Sequence, residues 1–178
     1  MQEVTPSYEV LPTGKQHVSF SEVKLWKECS YRHNLIHIKK IDLSKPSPVL
    51  DFGTAVHASC EHYLLTREMK PEIAFEHMEK AWAKHEGNPD FSPASLEKSK
   101  KEVEAILSEV PKFFDETFPE WEAVDAEHQL YEAVENHPHA FKGFIDAIIK
   151  TKGKRGETIY WILDHKTTAR GWFRDKRS

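Results

Sequence analysis

Apolar positions recur at two periods along the chain, and the change from one to the other divides it. Residues 1–18 carry Pro6, Pro12 and Gly14 and hold no sustained period, which predicts an arm or loop. Ser19 and Glu22 then form an S-x-x-E capping box, in which a hydroxyl and a carboxylate satisfy the free amides of a helix start. Val23, Trp26, Tyr31, Leu35 and Ile38 follow at roughly helical spacing, so a helix is predicted to about Ile38. Pro46 and Pro48 break the chain. A second helix is predicted over residues 52–67, and Pro71 suits the first turn of a third that runs to Gly87. After a loop beginning at Asn88, Pro93 opens a long charged helix with Val103, Ile106, Leu107 and Val110 as its apolar stripe. Pro111 has no amide hydrogen and is predicted to kink or end that helix.

Near Trp121 the period shortens to two. Residues 126–134 and 140–150 read as strands joined through Asn136, His137 and Pro138, and residues 152–156 form a turn into a third strand over 158–163. The apolar run of that third strand predicts a central place in the sheet. Helices first and a β-meander afterwards give a mixed α/β (α+β) class, as one domain over residues 19–178 behind the N-terminal arm. The chain stops soon after the third strand, so a covering C-terminal helix is expected from elsewhere.

Composition narrows the class without naming a function. With 178 residues, 39% hydrophobic and 30% charged, the chain has the make-up of a soluble globular domain. No apolar run approaches the roughly 20 residues of a membrane helix, and the first residues lack the basic and apolar regions of a signal peptide. Two cysteines make no disulfide framework, so a reducing, cytoplasmic location is the default. The net charge of -4 conceals an asymmetry: from Lys142 onward there are ten Lys/Arg against four Asp/Glu. Lys150, Lys152, Lys154 and Arg155 read as a solvated turn. Arg170, Arg174, Lys176 and Arg177 are the better candidates for nucleic-acid phosphates.

Four side chains stand out against apolar or tight surroundings. His57 closes Gly53-Thr-Ala-Val-His57, and Asp146 interrupts the apolar strand Gly143-Phe-Ile-Asp146-Ala-Ile-Ile. Asp164 and Lys166 follow Tyr160-Trp-Ile-Leu, two residues apart, so on a strand they share a face. A buried carboxylate is costly unless it is paired, hydrogen-bonded or on a metal. Two carboxylates and an imidazole suit a divalent cation, and the oxygen donors favour Mg²⁺ or Mn²⁺. A neighbouring lysine positions or deprotonates a water and offsets phosphate charge, which makes phosphodiester hydrolysis the natural chemistry. Other readings stand beside this one. Asp164 and Lys166 form a plain ion pair in the simplest case. His57, Cys60, Glu61 and His62 are zinc-type residues, although a helix turns Cys60 and His62 away from the face of His57 and Glu61. Trp172 and Phe173 either stack on bases or open a further helix.

Taken in order, Gly-x-x-x-His57, Gly-x-x-Asp146 and Asp164-x-Lys166 resemble the PD-(D/E)XK nuclease superfamily, and within it the RecB-like exonuclease branch. Ser19-Phe-Ser21, with Cys29 and Arg32 downstream, is similar to that branch's opening helix, and the resemblance covers about residues 18–168. It implies a restriction-endonuclease-like core. Its metal ligands would be His57, Asp146, Asp164 and the backbone carbonyl of His165, with Lys166 as the catalytic lysine. Glu61 would orient His57 or act on a second metal through water. The implied function is Mg²⁺- or Mn²⁺-dependent cleavage of DNA by an exonuclease in recombination, repair or replication. The alternatives are a non-catalytic DNA-binding or assembly module on the same fold, and a zinc-binding hydrolase or zinc-structured protein built on the cluster from His57 to His62. Branch members carry Gln-x-x-x-Tyr on a helix after Asp-x-Lys; no Gln or Tyr follows Lys166 here, so a C-terminal extension or protein partner is expected to supply it. Some members ligate an iron–sulfur cluster through four cysteines; with only Cys29 and Cys60, none is expected from this chain alone.

Overall fold

In a computed structural model of the chain, residues 9–167 are described, and Arg170, Trp172, Phe173, Arg174, Lys176 and Arg177 lie outside them. The described residues form a mixed α/β structure with five α-helices and a four-stranded mixed sheet. Two compact units emerge: Met1–Lys45 with Gln129–Phe144, and Pro46–His128 with Ile145–Ser178. No helix among the described residues is long and apolar enough to cross a membrane.

The first unit opens with a short strand, β1 (His17–Ser19), where the sequence suggests only an arm. Half of the predicted capping box forms: the Ser19 hydroxyl accepts from the Glu22 amide and starts α1 (Phe20–Glu28), while the Glu22 carboxylate turns to His33 instead of back to the Ser19 amide. The single helix expected to reach Ile38 is instead three pieces. Cys29 takes an extended conformation, and its Sγ accepts from the Arg32 amide at 3.4 Å. That side-chain cap restarts the chain as α2 (Ser30–His33), followed by a π-helical turn at Asn34–Ile38. β1 pairs in parallel with the start of β3 (Ala140–Lys152), from His17 opposite Ala140 to Ser19 opposite Lys142.

The second unit holds the other helices. Pro48 occupies the first turn of α3 (Pro48–Thr66) instead of breaking the chain, because its missing amide costs nothing there. Val56, Cys60, Tyr63 and Leu64 recur at helical spacing and are buried. They pack with Met78 and Trp82 of α4 (Pro71–Lys84) and with Val103, Leu107 and Phe114 of α5 (Pro93–Thr117) in two apolar clusters. α5 does not end at Pro111 but runs on to Thr117. A proline inside a helix costs about 3 kcal/mol. Phe114 and Phe118 beyond it are 2% and 7% exposed against Trp121, and burying a side chain of that kind stabilises by roughly 1.5–3 kcal/mol. Two such burials offset the proline.

β3 is the centre of the sheet, hydrogen-bonded to β2 (Glu122–Ala133) and antiparallel to β4 (Thr158–Leu163) from Ala147 opposite Leu163 to Lys152 opposite Thr158. β4 is therefore not the central strand that its apolar run suggests. Among the described residues it pairs with β3 alone, and Tyr160 and Ile162 are 64% and 71% exposed. Its apolar character marks an uncovered face rather than burial on both sides.

Candidate metal centre

α3, β2, β3 and the segment after β4 bring the polar residues of the second unit together. On α3, His57 follows the buried Val56 by one position, so it sits at the rim of the apolar stripe, half-buried. Its Nε2 donates to the His165 carbonyl at 2.8 Å, which leaves Nδ1 3.8 Å from Asp146 Oδ2. The same Asp146 oxygen accepts the His165 amide at 2.7 Å. His165 thus ties the chain after β4 to both α3 and β3. Burial pushes its imidazole below the usual histidine value, against the opposing charge of Asp146.

Gly53 explains the front of the Gly-x-x-x-His motif. A Cβ there would lie 3.1 Å from Thr167 Oγ1, so the glycine leaves room for the chain that follows Lys166 to approach α3.

Glu127 was not among the residues singled out from sequence. His57, Asp146 and Glu127 each bring a ligand atom within 4.8 Å of the others. The aim of Glu127 comes from a one-residue irregularity in β2. Ala123 and Ala126 both pack on the core, although three positions apart on a strand they should face opposite ways. Between them the Asp125 carboxylate takes the Ala126 amide at 2.9 Å, and Glu127 adopts a φ of +50°. This is the behaviour of a bulge, which turns a side chain to a new face. Burial, then the charges of Asp146 and Glu61, push the Glu127 carboxyl above its usual value. Glu61, with Gly53, His57 and Glu127, lines a cleft of about 460 Å³.

Asp164 and Lys166 lie just past the end of β4, both largely exposed, with Lys166 Nζ donating to Asp164 Oδ1 at 2.6 Å. That hydrogen bond, with the charges of Asp164 and Asp146, holds the Lys166 ammonium above its usual pKa. Lys166 is thereby a cation at neutral pH. The structure gathers His57, Asp146 and the His165 backbone in direct contact, with Glu61 in the adjoining cleft, and puts Asp164 with Lys166. The zinc-type cluster at residues 57–62 does not assemble: Cys60 lies in the apolar core, where burial pushes its thiol up to about 11.

An imidazole nitrogen and two carboxylates in mutual reach, one of them destabilised by like charge, fit a divalent cation with mixed nitrogen and oxygen ligands. Replacing Glu127 by Gln tests the repulsion. Since the folded-state value lies above the ordinary 4.5, the fold favours the protonated acid, and the repulsion grows as pH rises past that window. Glu127→Gln should raise the melting temperature of metal-free protein at neutral pH, lose that gain in acid, and bind Mn²⁺ more weakly. Thermal melts at pH 4 and pH 7.5 with a calorimetric titration check all three.

No curated protein matches the chain. The family model of the PD-(D/E)XK nuclease superfamily matches residues 17–175, nearly its whole length. Members of that superfamily use divalent metals to cut nucleic acids, and the mixed α/β fold with acidic residues on its strands beside a helix-borne histidine agrees with their core. The chain belongs to the PD-(D/E)XK nuclease superfamily.

Proposed function

We propose that the chain is a Mg²⁺- or Mn²⁺-dependent deoxyribonuclease of the RecB-like branch, acting as an exonuclease in recombination, repair or replication. The observation that carries this reading is the meeting of His57, Asp146 and Glu127 within 4.8 Å beside the Asp164–Lys166 pair. His57, Asp146 and Glu127 would hold the cation, with Asp164 and the His165 carbonyl as further oxygen donors. When bound, the cation supplies Lewis acidity and a water of lowered pKa.

The chain's own groups do the remainder. Asp146 fixes the His165 backbone through its amide, and so sets the direction in which the flanking Asp164 and Lys166 project. Lys166 keeps its proton and presents a compact positive charge to the scissile phosphate and the attacking water, lowering the cost of the charge that builds on phosphate oxygens. Glu61 orients His57 or a bound water from the same helix face. Arg170, Arg174, Lys176 and Arg177 would hold sugar–phosphate backbone, which gives affinity without sequence preference.

Cleavage of labelled linear and circular DNA, single- and double-stranded, with Mg²⁺, Mn²⁺ or EDTA tests the reading. Metal-dependent shortening of linear DNA alone is the expected result. Cutting of circles would make the enzyme an endonuclease, and DNA binding without any cleavage would make it a non-catalytic module.

His57→Ala isolates the imidazole. Mn²⁺ affinity should fall at least tenfold, the loss that even a supporting partner of a metal ligand commands, while DNA binding changes less. Calorimetry with Mn²⁺ and a DNA-binding titration in EDTA are the two measurements. Equal metal affinity in wild type and variant would make His57 a packing residue.

A further inference from the structure

The N-terminal unit contains a cavity of about 230 Å³ that the metal centre does not use. It is smaller than the roughly 300–1,000 Å³ of a pocket for a drug-sized ligand, and suits a single planar ring system. Val18, Val23 and Ile38 give it apolar walls, and Trp26, 57% exposed, stands on its border. Two of its lining residues are polar and deeply buried: Thr13 is 5% exposed and Glu22 is 4% exposed. Thr13 Oγ1 and Glu22 Oε2 have no hydrogen-bond partner among the described residues. The other Glu22 oxygen meets His33 Nε2 at 3.1 Å, and Lys15 Nζ stands 3.6 Å from Oε2, an ion pair too long for a good hydrogen bond. A buried carboxylate oxygen left in that state is costly and would be completed by a donor brought from outside.

The surroundings have the opposite character. Residues 9–45 contain seven Lys/Arg against four Asp/Glu, in a chain whose net charge is -4. Lys15 stands 3.6 Å from Glu22, and Lys40 donates to the Thr13 carbonyl at 2.6 Å, so two ammonium groups flank the cavity wall. A carboxylate inside and cations outside reject an anion from the interior but attract one to the rim. A nucleotide has that division: a flat base with amine donors and a phosphate beside it.

We propose that this cavity takes one unstacked nucleobase bearing an exocyclic amine, as in cytosine, adenine or guanine. The base stacks on Trp26, its amine donates to Glu22 Oε2, Thr13 Oγ1 bonds its ring edge, and Lys15 and Lys40 face the phosphate. Carboxylate acceptance from a base amine and base stacking on an aromatic ring are both general modes of recognition. Thymine, with carbonyl oxygens in place of the amine, is disfavoured. The site rests on the polar and charged groups of the first unit and is independent of the metal-centre reading.

The test is a titration of the full chain in EDTA with dCMP, dAMP, dGMP, dTMP and base-free deoxyribose 5-phosphate, followed by amide and indole NMR shifts. The expected result is shifts at Thr13, Glu22, Val23 and the Trp26 indole for the three amine-bearing nucleotides. dTMP should bind at least about fivefold more weakly, and the sugar phosphate should produce no shift at these positions. Trp26→Ala, a substitution at a half-exposed ring that the fold tolerates, should weaken binding about tenfold. Thr13→Val should weaken binding as well, yet raise the melting temperature, because it removes an unbonded hydroxyl from the interior. Asp146→Asn should bind nucleotide like wild type, which keeps the outcome separate from that of the nuclease reading. Absence of these shifts at millimolar nucleotide, binding of dTMP equal to the others, or unchanged affinity in both Trp26→Ala and Thr13→Val would overturn the proposal.

Discussion

Asp146→Asn should abolish metal-dependent DNA cleavage while the protein stays folded and at least as stable as wild type. The reason lies in the two tasks of this carboxylate. Its Oδ2 accepts the His165 amide at 2.7 Å and faces His57 Nδ1 at 3.8 Å. An asparagine carbonyl continues to accept the amide but removes the negative charge that the cation needs. Asp146→Ala removes both, and leaves the His165 amide unsatisfied at a cost of about 1–3 kcal/mol. The loss of repulsion toward Glu127 works in the opposite direction. The pair of variants therefore separates chemistry from folding: both lose cleavage, and only the alanine form melts earlier. Asp164→Ala, at an exposed position, should lose cleavage with no change in melting temperature. Cleavage at the wild-type rate by Asp146→Asn, with its folding verified, would remove Asp146 from the metal centre.

Lys166→Ala should retain metal binding and most DNA binding and lose cleavage by a factor on the order of a hundred or more, the scale of one oriented electrostatic or proton-handling group. The side chain is 60% exposed and bonds the equally exposed Asp164, so its removal leaves no buried orphan. Lys166→Arg should rescue poorly. It keeps the charge, but a planar guanidinium spreads that charge over a fork where the lysine concentrates it on one atom, and it would bind Asp164 in a different geometry. Single-turnover cleavage at saturating Mn²⁺ is the measurement, on a form of the protein that turns over, with an extension past Ser178 or a partner where that is required. Equal rates for wild type and Lys166→Ala would refute the assigned role, whatever the fold.

Both variants probe residues that stand out in the sequence, each for its own reason. Asp146 was legible because a charge in the middle of Phe-Ile-Asp-Ala-Ile-Ile violates the pattern around it. Lys166 was legible because it follows Asp164 by two residues after a strand signal. Glu127 was not: one glutamate between an alanine and a histidine, in a chain with 29 acidic residues, breaks no pattern. What singles it out is a backbone turned at φ +50° and two neighbouring alanines packed on the same face, neither of which leaves a mark in the local composition.

The sequence by itself determined the mixed class, the locations of most helices and strands, the Ser19 cap and the polar residues His57, Asp146, Asp164 and Lys166. Each of these follows from interactions within a few residues, where spacing and side-chain type are enough. Tertiary structure decided what depends on distant partners. α5 passes Pro111 because Phe114 and Phe118 bury themselves against Trp121, a gain that a local rule for proline does not contain. β4 lies beside β3 with an open face, since apolar residues report the wish to be covered and not the cover itself. The candidate site has its shape because His165, 108 residues from His57, offers its carbonyl to His57 and its amide to Asp146. Such a contact is set by how the helices and the sheet of the second unit pack, and packing is a property of surfaces that no stretch of sequence holds alone.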